Sequence, residues 1–304
     1  MKHDAPVPRA HVDGVLVLDK PPGLTSNQAL QQAKRLLAAR KAGHAGSLDP
    51  IATGVLPLCF GEATKLAQFL FAAEKRYWAV FRLGVTTATH DIEGEVLRVR
   101  PVAVDRGALE RALGAFEGEI EQIPPMYSAL KHRGRPLYEL ARAGREVERA
   151  ARRVFVREIA LQSFAGDRVE VEIACSKGTY IRSLAHDLGE RLGCGAHVAE
   201  LRRLAVGALR LEHALTLDAL AALPDPAARA ARLLPADAVV EPMPDVHLTA
   251  LATHYLLRGQ PVSARHRHGP GWVRLYDAQD RFLGMGQVLD DGRVAPRRLI
   301  ALKH

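Results

Sequence analysis

Cysteine is scarce. Cys59, Cys175 and Cys194 are odd in number and far apart, so neither a disulfide framework nor a zinc site is suggested. No apolar run approaches the roughly 18 residues of a membrane span. The opening Met1-Lys2-His3-Asp4-Ala5-Pro6 lacks the apolar centre of a signal peptide. Internal repeats and low-complexity tracts are missing as well. Acidic residues fall short of basic ones, 34 against 42, which leaves a net charge of +8. These shortages describe a soluble, cytoplasmic protein with a polyanionic partner. A nucleic acid leads, with an anionic membrane surface as the other choice. Hydrophobic residues are plentiful, 48% of 304, enough for one large domain or two ordinary ones.

Taken in order, residues 1 to about 11 read as a loose arm without periodicity. Val15-Leu16-Val17-Leu18 predicts a short buried strand closed by Lys20-Pro21-Pro22-Gly23. Ser26 is expected to cap a helix with Ala29, Leu30, Ala33, Leu36 and Leu37 on one face. A second helix is expected from about Glu62 to Phe71. Lys75 to Val85 alternates as a strand, with Tyr77, Ala79, Phe81 and Leu83 on one side. After a polar loop and a short strand over Glu95 to Arg100, Asp105 caps a helix carrying Leu109, Ala112, Leu113 and Phe116. Val154 to Phe164 and Arg168 to Cys175 pair around Gly166-Asp167. Lys177 to Arg182 turns into a helix with Ile181, Leu184, Ala185, Leu188 and Leu192 inward. Leu201-Arg202-Arg203-Leu204 is read as a further helix or turn. An alanine- and proline-rich stretch from about Leu217 to Asp245 suggests a domain junction. Beyond it come a helix near Leu248 to Leu257 and strands at Trp272 to Tyr276, Phe282 to Leu289 and near Arg293. Helices and strands in this order give an α+β chain.

Two stretches stand apart. Gly43-His44-Ala45-Gly46-Ser47-Leu48-Asp49-Pro50-Ile51-Ala52-Thr53-Gly54 cannot be an interior helix or central strand, because Gly and Pro punctuate both. Glycine lets its backbone approach a ligand closely, and Pro50 holds Asp49 to extended conformations. Neither G-x-x-x-x-G-K-S/T nor G-x-G-x-x-G is present, so this is not a recognised nucleotide loop. Asp before Pro also starts ordinary turns, and the pattern alone leaves Asp49 a candidate. The second stretch runs from Lys131 to Arg157, where nine Lys or Arg stand against three Glu. Such a run is either a solvated face or a nucleic-acid contact. Interleaved Tyr127, His132 and Tyr138 favour the contact, since rings stack on bases while cations hold phosphates.

Together the glycine loop, Lys20-Pro21-Pro22-Gly23-Leu24-Thr25-Ser26, Lys75-Arg76-Tyr77, Pro124-Pro125-Met126-Tyr127-Ser128-Ala129-Leu130-Lys131, Gly178-Thr179-Tyr180-Ile181-Arg182 and Leu201-Arg202-Arg203 resemble the TruB-type tRNA pseudouridine synthases. They occur in the family's order and span most of residues 14 to 205. The resemblance implies a pseudouridine-synthase fold, with a mixed, largely antiparallel central sheet flanked by helices. It implies a catalytic domain over 12–240 with an RNA-binding thumb at about 124–153. The C-terminal 246–304 resembles a small, β-rich PUA-type RNA-binding domain.

The implied reaction isomerises uridine to pseudouridine at position 55, in the TΨC loop of the tRNA T stem-loop. It requires neither metal nor cofactor, and a monomer is expected. In the family the aspartate matching Asp49 attacks C1′ or C6, with a glycal route also open. Arg182 matches the arginine that pairs with it, and Tyr77 the tyrosine that stacks on the flipped uracil, with uptake of the C5 proton as a further catalytic role. His44, Tyr180 and Leu201 match substrate-contacting positions, and Lys20 supports the loop. Lys131, Arg133, Arg142 and Arg145 are the thumb cations expected on RNA, with Arg149 beside them. Two alternatives remain. One is a tRNA-binding chaperone that acts by remodelling. The other is a metal hydrolase built on His44, His90 and Asp91, which lacks a ligand set at helical spacing.

Overall fold

The computed structural model describes residues 11–301; the expected loose N-terminal arm lies almost wholly outside them. Strand β1 (Gly14–Lys20) is buried on both faces. Its residues alternate between two cores: Leu16 and Leu18 enter one apolar cluster, Val15 and Val17 another. That explains why it reads as an unbroken apolar run rather than as alternation.

Helix α1 (Ser26–Leu36) follows, and its cap is Thr25, not the expected Ser26. Thr25 Oγ1 accepts the Gln28 N–H at 3.2 Å while Gln28 Oε1 accepts the Thr25 N–H at 2.8 Å, a reciprocal capping box. Ser26 is turned inward for another task, described below. Strands β2 (Ala42–His44) and β3 (Thr53–Phe60) flank the glycine loop. The expected helix near Glu62 opens as a 3₁₀ turn, Gly61–Leu66, and continues as α2 (Ala67–Ala72).

Strand β4 (Lys75–Leu83) lies mid-sheet, and β5 (Val85–Thr87) pairs with β6 (Val96–Val99) in a separate hairpin. Asp105 caps α3 (Arg106–Gly114) by accepting the Ala108 N–H at 2.7 Å. Strand β7 (Gly118–Gln122) then leads into an arm. The arm holds a small hairpin, β8 (Lys131–His132) with β9 (Arg135–Pro136), and helix α4 (Leu137–Arg142). The chain returns through β10 (Arg152–Ala165), β11 (Arg168–Cys175) and helix α5 (Ile181–Arg191).

Strand β12 (Ala196–Val206) corrects the expectation of a helix or turn at Leu201–Leu204. Burial alternates there, with Leu201, Arg203 and Ala205 inward, and β12 is hydrogen-bonded to β3 on one side and β4 on the other. The inward arginine breaks the apolar alternation that would have identified a strand. Short β13 (Leu209–Arg210) completes a nine-stranded sheet of order β1-β3-β12-β4-β11-β10-β7, with β2 on β3 and β13 on β12. Within it β3 and β12 run parallel, whereas the other pairs are antiparallel. The fold is α+β with a mixed, largely antiparallel sheet, as expected.

The alanine-rich stretch holds α6 (Leu217–Ala221) and α7 (Pro226–Ala230). It packs on the body rather than hanging as a linker: Leu217 and Leu220 are buried in the main core. Val15 and Leu234 exchange backbone bonds of 2.9 and 2.8 Å, which covers the free edge of β1. A second sheet, β14 (Asp245–His247), β15 (Gly271–Tyr276), β16 (Phe282–Val288) and β17 (Val294–Leu299), surrounds helix α8 (Ala250–Leu256) with a core of its own. It is joined to the body by Met285, which enters the second cluster, and by Trp272, edge-on to Phe69 at 5.1 Å. Among the described residues no helix is long and apolar enough to cross a membrane.

Candidate active site

The loop from Ala45 to Ala52 has no regular hydrogen-bonded structure of its own, so its polar backbone must find partners elsewhere. It finds them on all sides. The Ser26 hydroxyl accepts the Leu48 N–H at 2.7 Å and donates to the Leu48 carbonyl at 3.1 Å. The Pro50 carbonyl accepts from the Gly23 N–H at 2.9 Å and from Lys20 Nζ at 3.3 Å. The Gly46 carbonyl accepts from Arg203 Nη2 at 3.0 Å. At the loop's far end Gly54 has φ +96°, and a Cβ there would collide with the backbone of Arg203. Ala45, Leu48 and Ala52 are buried beneath. The result is a fixed scaffold for Asp49.

Arg182 grips that aspartate. Its Nη2 donates to Asp49 Oδ1 at 3.0 Å, and its Nε stands 2.8 Å from Oδ2. The guanidinium is itself held: Nη1 donates to the Thr89 carbonyl at 3.0 Å and Nη2 to the Tyr127 carbonyl at 2.7 Å. Asp91 lies behind it, with Oδ2 3.7 Å from Nε. Arg182 is 3% exposed, whereas 37% of the Asp49 side chain is open. The carboxylate thus sits deep in the protein with one rim facing a cleft. Burial pushes its pKa above the ordinary carboxylate value, the Arg182 charge opposes that, and Asp91 adds to it.

The cleft has a volume of about 390 Å³, and Asp49, Tyr77, Tyr180, Arg182 and Leu201 all line it. Tyr77 comes from β4 and is 9% exposed; burial pushes its phenol upward in pKa, against the nearby Arg203 charge. The Tyr180 phenol is raised as well, chiefly by burial. These five expected site residues come from four separate parts of the chain and meet here. Lys20 does not line the cleft. It is fully buried behind the loop, where Nζ donates to the carbonyls of Pro21 at 2.8 Å, Leu24 at 2.6 Å and Pro50 at 3.3 Å. Burial, partly opposed by Asp49, lowers its pKa to about 8. His44 is also outside the cleft lining, half-buried at the end of β2 opposite Leu58. Burial and the Arg203 charge lower its pKa.

The arm cations are a different population. Lys131, Arg133, Arg142 and Arg145 are exposed, and Arg142 lies over the Tyr138 ring at 5.6 Å. Arg149 is partly buried and tied to the Pro124 carbonyl at 3.3 Å and Glu146 at 3.2 Å. The residues of the hydrolase alternative have other occupations. His90 stacks on His186 at 4.0 Å, and burial lowers its pKa to about 4, while Asp91 faces Arg182. Among the described residues no three His, Cys, Asp or Glu are grouped as a metal site.

Sequence reasoning gave no role to Arg203, which is 1% exposed and also donates from Nε to the Val55 carbonyl at 2.7 Å. Reading Leu201 to Ala205 as a strand would have placed it inward beside Leu201. Lys75, whose Nζ bonds the Leu70, Phe71 and Ala73 carbonyls, was likewise passed over as part of a motif.

Comparison with known proteins agrees with this architecture. A chain of an H/ACA ribonucleoprotein bound to a substrate RNA containing 2′-deoxyuridine superposes with a TM-score of 0.73 at 26% identity, over 96% of this chain and 86% of that one. A chain of an archaeal box H/ACA complex gives 0.72 at 26%, over 95% and 86%. The fold is that of a pseudouridine synthase. The tRNA pseudouridine synthase B of Pseudomonas aeruginosa (strain UCBPP-PA14) is 54% identical over 295 residues, 96% of this chain and 97% of that protein. Its namesake in Burkholderia pseudomallei (strain 1106a) is 55% identical over 299 residues, 96% and 98%. Family models match end to end: the TruB pseudouridylate synthase N-terminal domain over residues 34–181, a tRNA pseudouridylate synthase B C-terminal domain over 182–243, and a pseudouridine synthase II TruB C-terminal domain over 244–300. This chain belongs to the TruB family of pseudouridylate synthases.

Proposed function

We propose that the enzyme converts uridine to pseudouridine at position 55 of tRNA, in the TΨC loop. The target uridine leaves the base stack and enters the cleft. Asp49 is the nucleophile, at C1′ or C6. The N1–C1′ bond breaks, the uracil turns, C5 bonds to C1′, and the bond from Asp49 to the nucleotide breaks to free the carboxylate; the proton lost from C5 is balanced by one gained at N1. No external donor or oxidant is needed. The observation that carries this reading is the single carboxylate at the cleft wall, fixed by Arg182 in a cleft that Tyr77 and Tyr180 also line.

Arg182 keeps Asp49 ionised and aimed. Tyr77 stacks on the extruded uracil, with uptake of the C5 proton as its further role. Tyr180 and Leu201 bound the base. Lys20 supports the loop from behind, and His44 helps hold the displaced RNA loop. Lys131, Arg133, Arg142 and Arg145 grip the phosphates from the arm, which serves as a thumb over about 124–153. We assign residues 12–240 to catalysis and the 246–304 unit to a PUA-like contact on the acceptor side. The relatives' names carry the tRNA substrate. The protein acts as a cytoplasmic monomer in this reading.

The test is to incubate an unmodified tRNA transcript with the purified protein alone and map pseudouridine. Asp49→Asn should keep tRNA binding and lose the product. Product at the normal rate would remove Asp49 as nucleophile. Binding and refolding of tRNA without any pseudouridine from the native enzyme would favour the chaperone alternative.

A further inference from the structure

Gln122 ends β7 opposite Arg152 of β10, so the arm leaves the sheet beyond one and returns at the other. Its side chain is not pointed at RNA or solvent; the residue is 2% exposed. Oε1 accepts the Tyr180 N–H at 2.7 Å, and Nε2 donates to the Tyr180 carbonyl at 3.0 Å. One planar amide thus replaces a neighbouring strand for a single residue. Helix α5 begins at the next residue and has no side-chain cap, so this clasp fixes how the chain enters it. Tyr180 lines the cleft, and Arg182 holds Asp49 from the first turn.

Two more bonds join the same parts. Ser183 Oγ donates to the Ile123 carbonyl at 3.0 Å, and Arg182 Nη2 donates to the Tyr127 carbonyl at 2.7 Å. The root of the arm is therefore stitched to three of the first four residues around the α5 start. Asn and Gln carry a donor and an acceptor side by side on one amide plane, and Asn is a methylene shorter. A carboxylate at this position would set an oxygen against the Tyr180 carbonyl.

We propose that Gln122 is a positioning residue for the isomerisation, holding Tyr180 and Arg182 in register with Asp49 and passing the seating of the arm on RNA to that pair. This rests on the Asp49–Arg182 site proposed above. Gln122 touches no reacting atom, so its loss acts on rate through the guanidinium and leaves the RNA-facing cations where they were.

The experiment compares full-length native enzyme, Gln122→Met and Gln122→Glu on an unmodified tRNA transcript under single-turnover conditions. Both variants should lose rate at saturating tRNA by about tenfold or more, as small misplacements do. Their tRNA Kd should stay within about twofold, because the arm cations that carry the phosphate contacts are left in place. Because the Arg182 charge opposes the upward push on the Asp49 pKa, a loosened guanidinium moves the acid limb of the rate to higher pH. A residue that merely stabilises the fold would leave that limb in place. In an Arg182→Lys background Gln122→Met should cost little more. Native rate and limb in Gln122→Met, or additive losses in the double variant, would overturn the proposal. If Gln122→Met does not fold, Ser183→Ala tests the same joint: a smaller rate loss with the same limb shift supports it, and no change refutes it. A native enzyme that makes no pseudouridine defeats the functional reading instead, which keeps the two failures distinct.

Discussion

The loop that carries Asp49 has no helix or strand, the arm beyond Gln122 has a short hairpin and a short helix, and they are held in opposite ways. The loop is pinned by residues distant in sequence: Ser26 from α1, Lys20 from β1 and Arg203 from β12 all bond its backbone from buried positions. Beyond its root on α5, the arm is held by its own neighbours. The Leu137 N–H bonds the Leu130 carbonyl at 2.7 Å and the Tyr138 N–H bonds Ser128 at 3.1 Å, with Leu137 and Leu140 as its buried apolar anchors. Absence of helix or strand therefore says little about rigidity. What counts is how many buried partners a backbone has, and from how far they come. The loop holds one carboxylate from several buried partners, and the arm carries exposed cations on a support bonded mostly to itself.

That contrast can be broken most severely at Arg182. Arg182→Met strips the partner from Asp49 and leaves Asp91 facing an empty place. Turnover should fall about 10²–10³-fold, as when a positioned donor is removed. Stability should fall by about 3 kcal/mol, at the low end for breaking a buried pair because the Asp49 rim is open to water. Single-turnover kinetics and thermal unfolding check both; an unchanged rate would detach the guanidinium from the chemistry.

Ser26→Ala tests the pinning itself. It leaves the Leu48 N–H and carbonyl without their shared partner, a cost of about 1–3 kcal/mol. Rate at saturation should drop while tRNA affinity holds. Should affinity fall and the rate stay, the loop is a binding element rather than a catalytic mount.

The arm should behave the other way round. Arg142→Ala with Arg145→Ala should weaken tRNA binding and reduce the steepness of its log–log salt dependence by about 1.4–1.8, if both cations contact phosphate. Melting temperature and saturated rate should not move. An unchanged salt slope would mean that these cations are only solvated. Arg149 is left out of this pair because it also ties the arm to Pro124.

The gentlest test is pH. The raised Asp49 pKa places the acid limb of activity above 3.8, the ordinary value, and Lys20→Met should move it higher because the Lys20 charge lowers that pKa. On the alkaline side Lys20 loses its proton near 8 and with it one of the three N–H groups that bond the Pro21, Leu24 and Pro50 carbonyls, so activity should decline. Stability should do the reverse. With a folded pKa of about 8 against 10.5 unfolded, the unfolded chain binds more protons in that window, so this group makes the fold more stable as pH rises through it. Lys75, also lowered to about 8 by burial, adds the same sign. Parallel loss of activity and stability above pH 8 would count against this account of Lys20.

Much of the site was legible before any coordinates, though unevenly. The glycine and proline density of the loop announced an irregular mount for Asp49, and alternation correctly placed Tyr77 on a strand with Ala79 and Phe81. Thr25 was missed as a cap because Ser26 is an equally good capping type; only the position of Leu48 shows why Ser26 is used elsewhere. Arg203 was missed because a charge at an inward position hides the strand period.

Composition and local pattern on their own determined the basic character, the two-faced burial of β1, and which few residue types could do chemistry. They could not say who holds whom. Arg182 reaches Asp49 across 133 positions, and Arg203 reaches the Val55 carbonyl across 148. Those partnerships belong to tertiary structure, for a physical reason. Burying a guanidinium is unfavourable until its several donors all find oxygen acceptors, and here the acceptors are backbone carbonyls and carboxylates assembled only when distant strands close around them.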